Sequence, residues 1–132
     1  MNNYAFIDSQ NLNVTIQKAG WDLDWRKFRI YLKETHKVEK AFLFIGFLLK
    51  NKKLYKKLEN YGYKLIFKKI LEVSGEIKGN TDAELVLHSV IECPNYEKAI
   101  VVSNDGDFTC LVEYLVSIDK FKCLLSPNVQ KC

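Results

Sequence analysis

Five short and nearly uniform apolar runs constrain this chain most: Tyr4–Ile7, Ala41–Phe47, Lys64–Phe67, Ala99–Val102 and Phe121–Leu125. A strand with one wet face alternates apolar and polar residues, whereas a run apolar at almost every position has to be covered on both faces. Helical patterns fill the gaps. Asn11–Ala19 stops at Gly20, Trp25–Lys37 carries Trp25, Phe28, Tyr31 and Leu32 at helical spacing, and Lys50–Tyr61 is closed by Gly62. A further helix runs from the Thr81 region to about Cys93 and stops before Pro94, and another spans Asp107–Ser117. Thr81-Asp82-Ala83-Glu84 has the form of a capping box, with Thr81 as N-cap and Glu84 reaching back. Leu71–Asn80, with two glycines, reads as a loop. The order β-α-α-β-α-β-α-β-α-β predicts an α/β fold, a three-layer doubly wound sandwich around a parallel sheet with right-handed crossovers.

The 132 residues suit one domain, 1–132, with a full core. No apolar run approaches the roughly 20 residues of a membrane span. The opening MNNYAFID lacks the basic and apolar regions of a secretory signal. The expectation is a cytoplasmic protein with no membrane partner. Cysteines 93, 110, 123 and 132 form no C-x-x-C pair, so zinc spacing is absent and reduced thiols are expected, Cys93 and Cys110 in the core.

The net charge of +4 is unevenly distributed. Arg26 to Lys78 holds 15 Lys/Arg against 5 Glu, and the remainder holds 5 Lys against 11 Asp/Glu. A basic middle suits phosphates, and an acidic remainder suits cations.

In doubly wound folds ligands bind beyond the carboxyl ends of the strands, where strand order reverses. The acids gather there. Asp8 follows the first run, Asp105 and Asp107 follow the fourth with Gly106 between them, and Asp82 opens the helix before the fourth run. Each has an ordinary use as well: Asp8 in an Asx-turn, Asp107 as an N-cap, Asp82 in a first helical turn. Clustered carboxylates repel unless a cation compensates, and hard divalent ions with oxygen ligands do so. The chemistry that follows is metal-assisted phosphodiester hydrolysis, which needs no side-chain nucleophile.

FIDSQNL, KGNTDAELVL and VVSNDGDF, in that order, resemble the motif blocks of NYN domains, members of the PIN-like superfamily of metal-dependent nucleases. The resemblance runs from Tyr4 to about Pro127. It implies a five-stranded parallel sheet in the order 3-2-1-4-5 and a Mg²⁺ or Mn²⁺ site acting on RNA. Asp8, Asp82, Asp105 and Asp107 match the family's acidic site, and Asn11, Ser103 and Lys78 match polar positions beside it. His88 stands where many members carry a further acid, and is either a ligand, a phosphate contact or a partly exposed helical histidine. Asn104 replaces a frequent glycine. The resemblance also implies a C-terminal helix that this sequence does not supply after the fifth strand.

Lys50, Lys52, Lys53, Lys56 and Lys57 crowd one helix, and Lys64, Lys68, Lys69 and Lys78 follow. They are candidates for salt-dependent phosphate contacts with single-stranded RNA, with Phe47, Tyr55 and Tyr61 as stacking platforms. A solvated helix face explains the same lysines. The leading expectation is a metal-dependent ribonuclease. A non-catalytic RNA-binding module is the alternative, and an aspartyl-phosphate mechanism at Asp8 fits poorly because Ser-Gln-Asn follows it. A homodimer is compatible with a compact α/β domain, but no residue pattern fixes it.

Overall fold

A computed structural model describes residues 2–8, 25–46, 52–68, 71–73, 76–78, 82–103, 108–125 and 130–131. The strands are β1 (Asn3–Asp8), β2 (Val38–Gly46), β3 (Tyr63–Lys68), β4 (Leu71–Val73), β5 (Glu76–Lys78), β6 (Ala99–Val102), β7 (Phe121–Leu125) and β8 (Gln130–Lys131). The helices are α1 (Trp25–His36), α2 (Lys52–Asn60), α3 (Asp82–Ile91) and α4 (Thr109–Ser117), with a 3₁₀ turn at Cys93–Asn95. The helix expected over Asn11–Ala19 and the capping residue Thr81 lie outside the described residues.

The main sheet has the order β3-β2-β1-β6-β7-β8. Its first five strands are parallel, which gives the expected 3-2-1-4-5 arrangement of the five apolar runs. Two details differ from the sequence reading. β8 pairs antiparallel with β7 and adds a sixth, two-residue edge strand. The stretch read as a loop contains a small antiparallel hairpin, β4 with β5. Three-residue strands are too short for alternation to register in a sequence.

Alternate residues of the buried strands feed two separate cores. Ala5 and Ile7, Ala41 and Leu43, and Ile100 and Val102 pack with Trp25 and Leu32 of α1 and Leu58 of α2. Tyr4 and Phe6, Phe42 and Phe44, and Ala99 and Val101 pack with Leu85 of α3 and Leu111 and Leu115 of α4. So α1 and α2 cover one face and α3 and α4 the other, as a parallel sheet buried on both sides demands. The second core is aromatic: the Phe6 ring stacks on Phe42 at 5.4 Å and meets Tyr96 edge-on at 5.6 Å.

Buried polar groups tie the layers. Asn3 Nδ2 donates to the His36 carbonyl at 2.7 Å, and its Oδ1 accepts from the Lys98 backbone N–H at 3.2 Å. Arg29 donates to the carbonyls of Gly62 at 3.2 Å and Glu39 at 3.1 Å, so this member of the basic segment is a structural brace. Gly62, at φ +106°, closes α2 as the sequence indicated. Lys37 and Asp119, both at φ 56°, turn the chain after α1 and α4 without a glycine. Cys110 is exposed rather than in the core, because Leu111 and Leu115 take the inward positions of α4. Cys123 is disulfide-bonded, not a free thiol.

Candidate active site

Asp8 is the last residue of the central strand β1 and is 1% exposed. It continues the alternation of Tyr4 and Phe6, so its position belongs to the face covered by α3 and α4. β1 lies between β2 and β6, and the connections from this pair run to opposite sides of the sheet. Asp8 therefore marks the carboxyl edge at the switch point, where this class of fold forms its binding crevice.

Ser103 follows β6 and is equally buried. Its Oγ donates to Asp8 Oδ2 at 3.4 Å, a long contact for a hydroxyl donor. Its backbone N–H donates to the Leu125 carbonyl at 3.0 Å, which holds the strand exit against β7. The chain then enters Asn104–Asp107. Asp105 and Asp107 lie outside the described residues, as do Asn11 and Lys50.

Asp82 is the first residue of α3. The 3₁₀ turn and β6 follow the end of α3, and Tyr96 donates its hydroxyl to the Ser89 carbonyl at 2.7 Å. The end of α3 therefore lies at the amino edge of the sheet. A ten-residue helix is about 15 Å long, close to the span of β1, so its first turn reaches the carboxyl edge. The side chains of Asp82, Glu84 and Lys78 lie outside the description; Lys78 ends β5.

His88 is half-buried, with its ring 5.5 Å from that of Phe44. Phe44 is the register partner of Asp8 on β2. A helical side chain leans toward the helix start, and here that carries His88 toward the strand ends. The sequence alone favoured a partly exposed helical histidine. The fold places it on an aromatic ring beside the strand that bears Asp8.

Lys52 and Lys53 are exposed at the start of α2, on the far side of the sheet from α3. Tyr55 is buried, its ring 5.0 Å from Phe67, so it offers no free platform for a base. Tyr61 is exposed, and Phe47 lies outside the described residues. Lys40 is a basic residue that the sequence reading passed over. Its Nζ lies 5.6 Å above the Tyr4 ring, and Lys64 Nζ lies 5.7 Å above Phe42. Both lysines are exposed and share the Asp8 face. The signal was the alternation of Lys40, Phe42 and Phe44 along β2, which puts all three on one face.

Among the described residues no three His, Cys, Asp or Glu side chains gather as a metal site. Among the described side chains at this edge, the oxygen donors are the Asp8 carboxylate and the Ser103 hydroxyl. Such donors suit hard divalent cations and give no thiolate or imidazole pair of the kind zinc prefers. Among the described residues no helix is long and apolar enough to cross a membrane.

The strand order, with a buried aspartate where the connections change sides, defines a PIN-like α/β domain. The sequence profile of the NYN domain matches residues 4–128, nearly the whole chain, and the chain belongs to that family, part of the PIN-like nuclease superfamily. Among solved structures it is similar to a protein of unknown function from Vibrio parahaemolyticus, with a TM-score of 0.75 and 25% identity over 87% of this chain and 74% of that one. No curated protein matches it.

Proposed function

We propose that this chain is a metal-dependent ribonuclease that hydrolyses phosphodiester bonds of single-stranded RNA. The observation that carries the reading is the placement of Asp8: a carboxylate 1% exposed at the end of the central strand, contacted by Ser103 of the neighbouring chain segment. Asp105 and Asp107 follow Ser103 within four residues, and Asp82 opens the helix that packs on β1. These four aspartates would hold Mg²⁺ or Mn²⁺. When bound, the ion supplies positive charge to the phosphodiester and lowers the pKa of an attacking water.

The protein's own part is positioning. β1 is paired on both sides, so Asp8 cannot drift. The Ser103 hydroxyl orients its carboxylate. The start of α3 directs backbone N–H groups and the positive end of its dipole toward the carboxyl edge, which favours a phosphate there. His88, level with Asp8, and Lys64 border the approach on the same face, and Lys40, level with Tyr4, lies toward the amino edge. Lys52 and Lys53, across the sheet, attract the polyanion from a distance, with Lys50, Lys78 and Asn11 as further polar contacts. Phosphate contacts of this kind carry little sequence information, so the enzyme reads strandedness rather than sequence.

The purified chain is expected to cleave a fluorescent single-stranded RNA in Mn²⁺ or Mg²⁺ and to stop in EDTA. Asp8→Asn is expected to lower the rate by about 10²-fold or more, since the ion's charge stabilisation is worth several kcal/mol. Cleavage that survives Asp8→Asn refutes the mechanism. Salt-sensitive RNA binding in EDTA without cleavage in any metal identifies a binding module instead.

A further inference from the structure

The outward sides of α3 and α4 are apolar. Val86, Leu87, Val90 and Ile91 of α3 are 36–57% exposed, and Tyr114 of α4 is 48% exposed. Leu85 and Ser89 are fully buried, which fixes the rotation of α3. Stepping 100° per residue from them puts His88 on the flank toward β2, Val86 and Val90 on the flank toward α4, and Leu87 and Ile91 outermost. On α4 the buried Leu111 and Leu115 put Tyr114 on the flank toward α3. Leu85 of α3 and Leu111 and Leu115 of α4 share one buried cluster with Tyr96, which donates its hydroxyl to the Ser89 carbonyl, so the two helices lie side by side over the same core. The five side chains therefore form one patch. Between Glu84 and Glu92, α3 carries no Asp, Glu, Lys or Arg, and α4 carries only Glu113.

We propose that this α3–α4 surface is a self-association site, on which a second copy of the chain packs its own α3–α4 surface about a two-fold axis. Side chains of this size, exposed to this degree, present on the order of 400 Å² of apolar area, the size of the largest patch on a typical monomer, which is often functional. A standard interface takes about 800 Å² from each partner, and roughly 57% of it is apolar. The patch supplies most of that apolar share, and its polar neighbours, among them Glu113 on the outermost line of α4, supply the rest. Charge favours a second copy. The lysines of α1 and α2 lie on the opposite face, so two copies meeting through α3 and α4 keep those lysines apart, while Lys40 and Lys64 lie beyond the β2 flank of α3. A lipid surface fits less well, because a membrane-binding helix carries Lys or Arg beside its apolar side and these two helices carry none. The patch is centred toward the end of α3, at the amino edge of the sheet, so pairing leaves the Asp8 edge open. The proposal does not depend on the ribonuclease reading.

Sedimentation velocity of the full chain from about 1 µM to about 100 µM tests it, a range that brackets micromolar dissociation. The expected result is a shift from monomer to dimer mass. Leu87→Glu with Ile91→Glu should hold the chain monomeric, with unchanged far-UV circular dichroism because both side chains are largely outside the core. Val116→Glu, on the other flank of α4 and 59% exposed, should leave the dimer intact. If the double variant does not fold, Leu87→Lys alone should raise the dissociation constant about tenfold or more. A wild-type chain that stays monomeric throughout the range overturns the proposal, whether or not it floats with phosphatidylcholine vesicles. So does a dimer that survives the charged substitutions at Leu87 and Ile91.

Discussion

The two faces of the sheet solve the same burial problem with opposite exteriors. On one, α2 buries Leu58 and Tyr55 and turns Lys52, Lys53, Lys56 and Lys57 to solvent. On the other, α3 buries Leu85 and Ser89 and turns Leu87, Val90 and Ile91 outward. A charged exterior is stable alone in water, whereas an apolar one gains from being covered. The lysine face thus suits solvent and, on the proposed function, polyanions, and the α3–α4 face is the one proposed to meet a second copy. Asp8 belongs to the second face but sits at its edge, and pairing through the helices would leave that edge uncovered.

The largest expected effect tests whether the aromatic core under α3 and α4 is as rigid as its ring contacts indicate. Phe6 is fully buried, stacked on Phe42 and edge-on to Tyr96. Phe6→Ala should cost about 3–5 kcal/mol in urea unfolding, against about 1 kcal/mol for Ile7→Val on the opposite face. Similar losses at the two positions would mean that the core beneath the apolar helices collapses around the cavity and is not close-packed.

A smaller loss should separate positioning from folding at the site. Ser103→Ala removes the hydroxyl that contacts Asp8 but leaves the Ser103 N–H bond to Leu125. Outer groups that orient metal ligands are typically worth 10–100-fold in activity or metal affinity, so the cleavage rate at fixed Mn²⁺ should fall by roughly that factor. Stability should change by only about 1 kcal/mol, the scale of one hydrogen bond. A rate that rises back with added metal assigns the loss to affinity; equal loss at all metal concentrations assigns it to orientation.

His36 gives a subtler test of the α1–α2 side. It is 3% exposed, with Nε2 3.0 Å from the Tyr31 hydroxyl. Burial, and then the positive charge of Lys122, hold its pKa below the ordinary histidine value of 6.5. The unfolded chain therefore binds a proton at higher pH than the folded one. Its contribution is complete above pH 6.5 and is lost as pH falls through that value toward the folded pKa, with a slope of at most about 1.4 kcal/mol per pH unit. His36→Phe should flatten this part of the stability profile between pH 7 and pH 5. An unchanged slope would place the titration elsewhere.

Much of this architecture was legible because the dominant constraint is periodic. Runs such as AIVV and AFLFIG have no polar side to expose, and that alone fixes a sheet covered on both faces. Gly62 marked the end of α2 because its left-handed conformation suits glycine. The turns at Lys37 and Asp119 use the same conformation without a glycine, so no residue type announced them. At the site, Asp8 and Ser103 were found from motif and strand position, and the fold brings them together. The sharing of one face by His88, Lys40 and Lys64 was hidden, because it depends on strand register and helix rotation between segments distant in sequence. The β4–β5 hairpin and β8 were hidden for a different reason: two or three residues carry too little pattern.

The smallest expected effect sets lysines of the two faces against each other. Lys64 and Lys40 lie on the Asp8 face, while Lys52 and Lys53 open α2 across the sheet. A lysine that neutralises one phosphate of a single strand contributes about 0.7 to the slope of log affinity against log salt. Lys64→Ala should therefore lower that slope by about 0.7 and weaken single-stranded RNA binding several-fold at low salt, measured by fluorescence anisotropy in EDTA. Lys52→Ala with Lys53→Ala should change it by less, because charges that only steer are screened within about 10 Å at ordinary salt. If the α2 pair instead removes about 1.4 from the slope, twice the single-lysine value, the RNA crosses the carboxyl edge onto the lysine face. The division of labour between the two faces would then be wrong for the substrate, even if it holds for the second copy of the chain.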